Sequence, residues 1–449
     1  MQTSDLFVHN PADEAMELSF ELRRRGAAEA KPPFARRTVA AHATLYLADA
    51  VAALFARDNE SGFLTITAEH AASEPVIASF ANTQRRDGSK VRQTVRGLTA
   101  PPPGASQAAA SSSQQLAGLA DTSDQQASLG LVNPSSSTAT ARLRFFDSEG
   151  NPLRPSADLA LPPWSQRQLE RKELARTFGT AGERDYRIEI ETLAGGRIVP
   201  YATSSRLPAG DPAFVEGGKQ QAAKLYLIGV AAKPNAGGSG WRTDLLLANG
   251  GDQTTTSEVS FAAPGVRTTT PLRVTLAAGE SERLENLLAR WSITAAVGVV
   301  TVTSTGTGEV LPVAQGETYQ TRGAKRFGQT ITAMSADDAA GAGQRHYLVG
   351  LRQDGDSRVN FWLFNPGDVA GEYEVRYRRL DVSPLGTVPT LRLEAGALRQ
   401  FAPADHPAGA ALGEGFTVEV LVRAGKVLTA AQVTASANED PTYLRGQVR

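Results

Sequence analysis

The stretch FWLFNP at residues 361–366 is an apolar strand that ends in an asparagine followed by a turn residue. The same arrangement occurs as LFVHNP at residues 6–11, LGLVNP at 129–134 and LLLANG at 245–250. The four asparagines (Asn10, Asn133, Asn249 and Asn365) lie about 123, 116 and 116 positions apart. A fixed period of this length indicates one structural unit repeated in series. The sequence therefore predicts four copies of one module.

Further positions repeat in register with these asparagines. The residues ten and twelve positions after each asparagine are apolar or aromatic, and those between them are mostly polar, which is typical of a half-buried strand. A second alternating run follows 51 to 57 residues after each asparagine, and then a short closing strand. The paired apolar positions are Phe20 and Leu22, Leu143 and Phe145, Val259 and Phe261, and Val375 and Tyr377.

A short helix is predicted between the two halves of three copies. In the third copy Leu284, Leu287, Leu288 and Trp291 fall on one helical face. Residues 47–55 and 169–178 carry the equivalent signal in the first and second copies. The fourth copy has prolines at 403 and 407, so we expect a loop or a single turn there.

The first copy differs from the others at its start. An extra apolar strand precedes the asparagine strand at residues 225–230 and 346–351, with a weaker one at 116–119. The first copy has none, because the chain begins five residues before Leu6. One interpretation is that the chain is a processed or truncated piece of a longer precursor. The other is an open sandwich whose missing edge strand comes from another subunit by strand addition.

Each copy contains six to eight short strands, turn residues every 8–12 positions and at most one short helix. This pattern predicts an all-β chain of four tandem immunoglobulin-like antiparallel β-sandwich modules. We expect modules at residues 1–98 (without a first strand), 113–218, 219–328 and 345–449. Residues 99–112 form a Pro/Ser/Ala-rich linker and residues 329–344 a second linker. We expect an extended rod with the widest freedom between the first two modules.

Composition excludes several classes of function. Lys and Arg total 46 against 47 Asp and Glu, so the net charge of −1 argues against a nucleic-acid binder. The chain has no cysteine, which excludes disulfides, thiol catalysis and cysteine-ligated metals. No apolar run is long enough to span a membrane, and no signal sequence is visible in this chain.

No arrangement of residues predicts catalysis, a cofactor or a metal site. None of the five histidines stands at metal-ligand spacing from another ligand. The four asparagines are interpreted as structural turn residues, because Asn-Pro and Asn-Gly favour turns. Trp164, Trp241 and Trp362 are candidate ligand or partner contacts, and the first and second lie near loops.

The succession of an Asn-Pro strand, a turn before a short amphipathic segment and a closing Pro-Val strand resembles uncharacterised repeat modules of large secreted or surface proteins of Gram-negative bacteria. Those modules are predicted to be immunoglobulin-like. The resemblance covers all four copies and brings no catalytic residues. It implies an extracellular or cell-surface location and a spacer, adhesion or assembly role.

We therefore expect a non-enzymatic structural or assembly protein, such as a surface spacer, an adhesin stalk or a filament subunit. It would act through edge-strand or module-to-module contacts, with itself or another surface protein as partner. The alternative is an array of ligand-binding modules, most plausibly for glycans. We expect neither a nucleic-acid partner nor a membrane span.

Overall fold

The computed structural model describes residues 2–26, 31–69, 73–84, 90–97, 113–207, 211–217, 224–234, 240–268, 270–305, 312–322, 325–407, 412–436 and 440–449. The chain is all-β with antiparallel sheets, as the sequence predicts, and these described residues form eight sheets. Residues 99–112, predicted as a linker and hinge, lie outside them. Below, the ranges 1–98, 113–218, 219–328 and 345–449 are called the first, second, third and fourth repeats.

The first two repeats each contribute two sheets. In the first repeat they have the strand orders β4-β1-β6-β7 and β3-β2-β5, and in the second β11-β10-β13-β8 and β12-β9-β14-β15. The first repeat consists of β1 (Gln2–His9), β2 (Met16–Arg24), β3 (Phe34–Val39), β4 (Thr44–Leu47), α1 (Ala50–Phe55), β5 (Gly62–Glu69), β6 (Val76–Gln84) and β7 (Lys90–Arg96). The second consists of β8 (Ser113–Leu119), β9 (Gln125–Asn133), β10 (Ala139–Phe146), β11 (Ala157–Leu161), β12 (Ser165–Leu169), α2 (Arg171–Phe178), β13 (Tyr186–Ala194), β14 (Val199–Arg206) and β15 (Asp211–Glu216).

The third repeat also contributes two sheets, ordered β19-β18-β22-β16-β25, with β20 beside β18, and β21-β17-β23-β24. Its elements are β16 (Lys224–Ala232), β17 (Arg242–Ala248), β18 (Thr255–Ala263), β19 (Val266–Arg267), β20 (Leu272–Leu276), β21 (Ser281–Leu284), the 3-10 helix η1 (Leu287–Trp291), β22 (Ala296–Ser304), β23 (Val313–Arg322) and β24 (Lys325–Thr332). The predicted linker 329–344 holds β25 (Met334–Ser335), η2 (Ala336–Asp338) and β26 (Ala340–Gly341).

The fourth repeat forms the sheets β26-β33-β28-β31, with β34 beside β33, and β30-β29-β32-β27-β35. Its elements are β27 (Arg345–Gln353), β28 (Ser357–Phe364), β29 (Gly371–Arg379), β30 (Pro384–Leu393), β31 (Leu398–Phe401), η3 (Pro403–Asp405), β32 (Gly413–Ala424), β33 (Lys426–Ala435), β34 (Pro441–Arg445) and β35 (Gln447–Val448). The two segments of the linker thus pair with strands of both neighbouring repeats, β25 with β16 and β26 with β33.

The apolar positions predicted from the repeat form the core. All eight residues at ten and twelve positions after the asparagines are 2% exposed or less. Their strands alternate between buried and exposed positions, because successive side chains in a strand point to opposite faces. Short helices lie where the sequence predicts them, and the fourth repeat has the predicted single turn at η3.

The two ends of the chain pack against each other. Phe7 and Phe80 of the first repeat belong to the same buried cluster as the core of the fourth repeat. The amide of Thr44 donates to the carbonyl of Leu380 at 2.9 Å, and the Thr44 and Thr417 hydroxyls are 3.1 Å apart. The prediction of an extended rod is therefore wrong. Each repeat contacts the next one along the chain, and the fourth repeat also contacts the first. The four repeats form a closed cycle.

Candidate functional site

Each repeated asparagine is a buried cross-link between the two sheets of its repeat. The Asn133 side-chain amide donates to the carbonyls of Leu161 and Pro162, at the end of β11, at 3.0 and 2.9 Å, and to Ser137 at 2.8 Å. Its oxygen accepts from the backbone N–H of Ser135 at 3.0 Å. Asn10, Asn249 and Asn365 make the same four contacts, and all four side chains are fully buried.

The asparagine side chains thus satisfy backbone carbonyls at the strand ends, where sheet pairing stops. Buried carbonyls without a donor cost about 1–3 kcal/mol each, so this use is structural. The geometry extends the turn interpretation, because the amide also joins the asparagine strand to an edge strand of the opposite sheet. No surface is left on these side chains for a ligand.

A contact between a glycine and a large side chain recurs at three junctions between repeats. A glycine with positive φ in the first strand of one repeat faces a large side chain three positions before the asparagine of the next repeat. A Cβ on Gly229 (φ 92°) would lie 3.2 Å from the Trp362 ring, and one on Gly350 (φ 77°) would lie 2.9 Å from Phe7. Gly118 (φ 74°) faces Leu246 in the same way. Left-handed backbone is accessible to glycine at little cost, and the missing Cβ admits the neighbouring side chain.

The junction between the first and second repeats lacks both the glycine of a first strand and the large side chain before the asparagine. The residue three positions before Asn133 is Gly130, and a Cβ there would overlap the ring of Tyr201. Within the described part of the first repeat, no strand corresponds to β8, β16 or β27. The junction instead has polar contacts, including Arg96 Nη1 to Glu216 Oε2 at 3.3 Å. It is therefore the one junction of the cycle built differently.

In the part of the chain that the structure describes, one edge of strand β5 has no partner strand at this junction. Its counterparts β13, β22 and β32 each lie between two strands, whereas β5 pairs with β2 alone among the described residues. By strand register, Leu64 and Ile66 of β5 correspond to one pair of fully buried residues in each of the other repeats. Leu64 and Ile66 themselves are only partly buried. The corresponding buried pairs are Ile188 and Ile190, Val300 and Val302, and Val418 and Val420.

A groove with a volume of about 2200 Å³ lies beside this edge. One wall consists of β5 with apolar side chains from inside the first repeat, including Leu22 and Ile77. The second repeat contributes residues of β9, β12 and β14 to the lining, and residues 447–449 also line the groove. On the side where the described strands leave the sheet incomplete, the groove thus exposes apolar side chains from the interior of the first repeat, together with polar ones such as Thr65 and Gln93.

The wall from the second repeat is polar and well ordered by hydrogen bonds. Tyr201 accepts a hydrogen bond from Gln166, and its hydroxyl lies 3.3 Å from Oε1 of Gln168. Burial raises the pKa of Tyr201, so its hydroxyl is neutral at physiological pH and can act as a donor. Ser128 and Thr203 share a hydrogen bond of 2.7 Å on the same wall. These groups can exchange hydrogen bonds with a peptide backbone or a polar ligand.

The three candidate tryptophans lie in different environments. Trp164 lines the groove, and its own backbone has a positive φ of 52°. The Arg23 guanidinium lies 5.0 Å from the centre of its ring. Trp241 forms a backbone bridge with Lys233. Trp362 is 2% exposed and packs into the core of the third repeat, so it contacts a neighbouring repeat and is closed to an external ligand. The structure therefore brings only Trp164 to the groove.

Other features carry no site. The described residues contain no group of three or more His, Asp or Glu side chains that could hold a metal ion. None of their helices is long and apolar enough to cross a membrane. Asp354 and Asp356 form a turn, with the amide of Asp356 donating to the Asp354 carboxylate at 2.9 Å.

The sequence indicates the open edge but not the groove. The absence of a first strand in the first copy is visible in the repeat. The groove depends on the closed cycle, which sets the second repeat opposite β5, and no local pattern reports contacts between distant repeats. The glycines at 118, 229 and 350 are a sequence signal for the contacts between repeats. Each lies in the first strand of its repeat, which has no counterpart in the first copy.

No protein-family model matches the chain, and no significant match was found among curated proteins. Among solved structures, the chain is similar to Escherichia coli alpha-2-macroglobulin activated by porcine elastase, with 10% identity and a TM-score of 0.11. The likeness covers 97% of this chain and 41% of that protein. A TM-score this low supports no conclusion about shared fold or function.

Proposed function

We propose that the protein is a non-enzymatic assembly protein, made of four immunoglobulin-like sandwich modules, that joins other polypeptides through an open sheet edge. The observation that carries the proposal is the edge of β5 that has no partner strand among the described residues, beside partly exposed Leu64 and Ile66. An unpaired strand presents a row of backbone donors and acceptors, which favours pairing with another chain. An extracellular or cell-surface location follows only from the resemblance to repeat modules of such proteins.

The closed cycle supports a role as a rigid unit in preference to a flexible spacer. Three junctions are fixed by side chains inserted against glycines, and Arg206 of the second repeat binds Glu317 of the third at 2.9 Å. A rigid frame holds β5 and the opposing wall at a constant separation. Binding to such a preorganised surface costs less conformational entropy than binding to a mobile one.

The proposal is tested by comparing the native chain with a variant that fills the edge. In the variant the sequence of residues 113–124 is placed ahead of residue 1, so that it can pair with β5 as β8 pairs with β13. Light scattering across a concentration series, with negative-stain microscopy, should show self-association of the native chain and a monomeric variant. A native chain that stays monomeric at all concentrations, or equal association of both, contradicts the assembly role.

A glycan-binding function is the second candidate, and Trp164 is the observation that favours it. Its ring lines the groove close to Gln166 and Gln168, and sugars commonly stack on aromatic rings beside amide groups. A change in tryptophan fluorescence on titration with a glycan panel, abolished by Trp164→Ala and retained in Trp241→Ala, would favour this function over assembly.

A further inference from the structure

We propose that the groove binds an extended strand from a separate polypeptide, antiparallel to β5, with the pattern Leu-x-Gly followed by Leu or Val. This inference rests on the proposed assembly function and specifies its partner. The other three repeats show which strand completes this type of sheet. Their first strands contain LAGL at residues 116–119, LIGV at 227–230 and LVGL at 348–351.

The leucine of each pattern occupies one position in the sheet. Leu116 lies opposite Ile188, Leu227 opposite Val300 and Leu348 opposite Val418. All three leucines are 1% exposed or less. The residue of β5 in the corresponding position is Leu64, which pairs with Leu22 as Ile188 pairs with Phe145. A strand in the groove should therefore place a leucine opposite Leu64.

The glycine two positions later is expected to face the second repeat. In the three complete repeats it breaks the regular register of the first strand and receives a side chain from the next repeat. At the first junction, Tyr201 covers Gly130 and lines the groove. The Tyr201 ring is therefore the group that a glycine in the bound strand would meet, in place of Leu246, Trp362 or Phe7.

A separate polypeptide fits the groove better than a second copy of this chain. The three Leu-x-Gly strands of the chain are already paired within their own sheets, so a second copy could donate one only by unfolding a repeat. Two copies can pair weakly through their β5 edges, which is the self-association expected of the native chain, but this pairing leaves the apolar side chains of Leu22 and Ile77 uncovered. A free strand satisfies both the backbone edge and the apolar wall.

The first test measures binding of synthetic peptides to the intact chain. The probes carry the sequences of residues 113–120, 224–232 and 345–352, and the control is the first peptide with Leu116→Asp and Leu119→Asp. We expect saturable one-to-one binding by at least one probe and binding at least about tenfold weaker by the control, since each leucine buries most of its surface. No saturable binding by any probe would overturn the proposal.

The second test fixes the register and uses the absence of native cysteine. In the second repeat Gln115 lies opposite Glu189 and Ser113 opposite Glu191, which correspond to Thr65 and Thr67 of β5. A 113–120 peptide carrying Gln115→Cys should form a disulfide with the Thr65→Cys chain and much less with the Thr67→Cys chain. Equal cross-linking of both, or a preference for position 67, would contradict the predicted alignment.

The results separate this inference from the assembly function. If the native chain self-associates and the grafted variant does not, yet no probe binds, assembly stands and the strand pattern is wrong. If the probes bind in register and the native chain never associates, the strand pattern stands and self-assembly is wrong. Bound peptide should also reduce any self-association, because both use the edge of β5.

Discussion

The ring of Phe7 lies against Gly350, so close that a Cβ on the glycine would come within 2.9 Å of the ring. The two residues belong to the first and the fourth repeat, and their contact closes the cycle of repeats. The ring of Phe80 also comes within 3.1 Å of the same hypothetical Cβ. The closure therefore depends on the absence of a side chain at position 350.

Replacing Gly350 by alanine should destabilise the protein more than the same change at Gly343. Both glycines have positive φ, 77° and 83°, so both alanines carry a left-handed strain of about 1–2 kcal/mol. Only Gly350→Ala also meets aromatic rings, whereas Gly343 faces open space. Chemical denaturation should show an additional loss of about 1–3 kcal/mol for Gly350→Ala. Equal losses in the two variants would mean that the rings do not pack there in solution.

The buried asparagine cross-link predicts a local loss of stability on truncation. Asn133→Ala removes a side-chain donor shared by three backbone carbonyls, of which only that of Pro162 also accepts from another side chain, Ser165, and should cost about 2–4 kcal/mol. Asn151→Ala, in an exposed turn where the side chain contacts Asp147, should cost less than about 1 kcal/mol. Urea unfolding of both variants measures the difference. A loss at Asn133 no larger than at Asn151 would count against the cross-link.

A charge network joins the second and third repeats around Glu317. Its carboxylate lies 2.9 Å from both Arg206 and Arg326 and 3.8 Å from Arg283, and these guanidinium groups lower its pKa against the opposing effect of burial. Glu317→Gln removes the carboxylate that pairs with Arg206, whereas Arg326 and Arg283 keep Asp244 and Asp185, and should cost about 3 kcal/mol. The exposed pair of Glu394 with Arg392 provides the control, and Glu394→Gln should change stability by less than about 0.5 kcal/mol. Thermal unfolding at matched pH compares them, and equal effects would contradict the network.

Two buried histidines predict that the protein becomes less stable in mild acid. Burial lowers the pKa of His346 to about 4 and that of His9 to about 3, and like-charged neighbours further lower the latter. Each is neutral when folded and binds a proton on unfolding below the ordinary pKa of 6.5. Their stabilisation is therefore complete above pH 6.5 and falls as the pH drops toward the folded values.

Between pH 6.5 and 5 this loss should amount to about 2 kcal/mol for each histidine, before most carboxylates titrate. Unfolding free energies measured across this window check the sign and the size. The double variant His9→Gln, His346→Gln should show a flatter dependence. A native profile with no slope in this window would mean that the two imidazoles are accessible to protons in the folded state.

Much of each repeat follows from its local sequence. Alternation placed Phe20, Leu143, Val259 and Val375 in cores, and Pro403 correctly limited the fourth helix to a turn. The sequence left two interpretations of the missing first strand open, and among the described residues one edge of β5 has no partner strand. These features depend on neighbours within about ten residues, where periodicity and turn chemistry act directly.

The closed cycle could not be read from the sequence. It depends on contacts such as Thr44 with Thr417 and Phe7 with Gly350, between residues that no periodic pattern links. For the same reason the sequence predicts Trp362 as a candidate ligand or partner contact, whereas in the structure Gly229 of the preceding repeat makes room for its ring. Both depend on how repeats pack together, which is determined by shape rather than by alternation.

Hydrogen exchange of the native protein tests the open edge of β5 most directly, by comparing β5 with its counterparts β13, β22 and β32 in one experiment. We expect rapid exchange for amides along residues 62–69 that point away from β2, and slow exchange for the three strands that have partners on both sides. Protection of β5 equal to that of the other three would contradict the open edge, because the edge would already be covered.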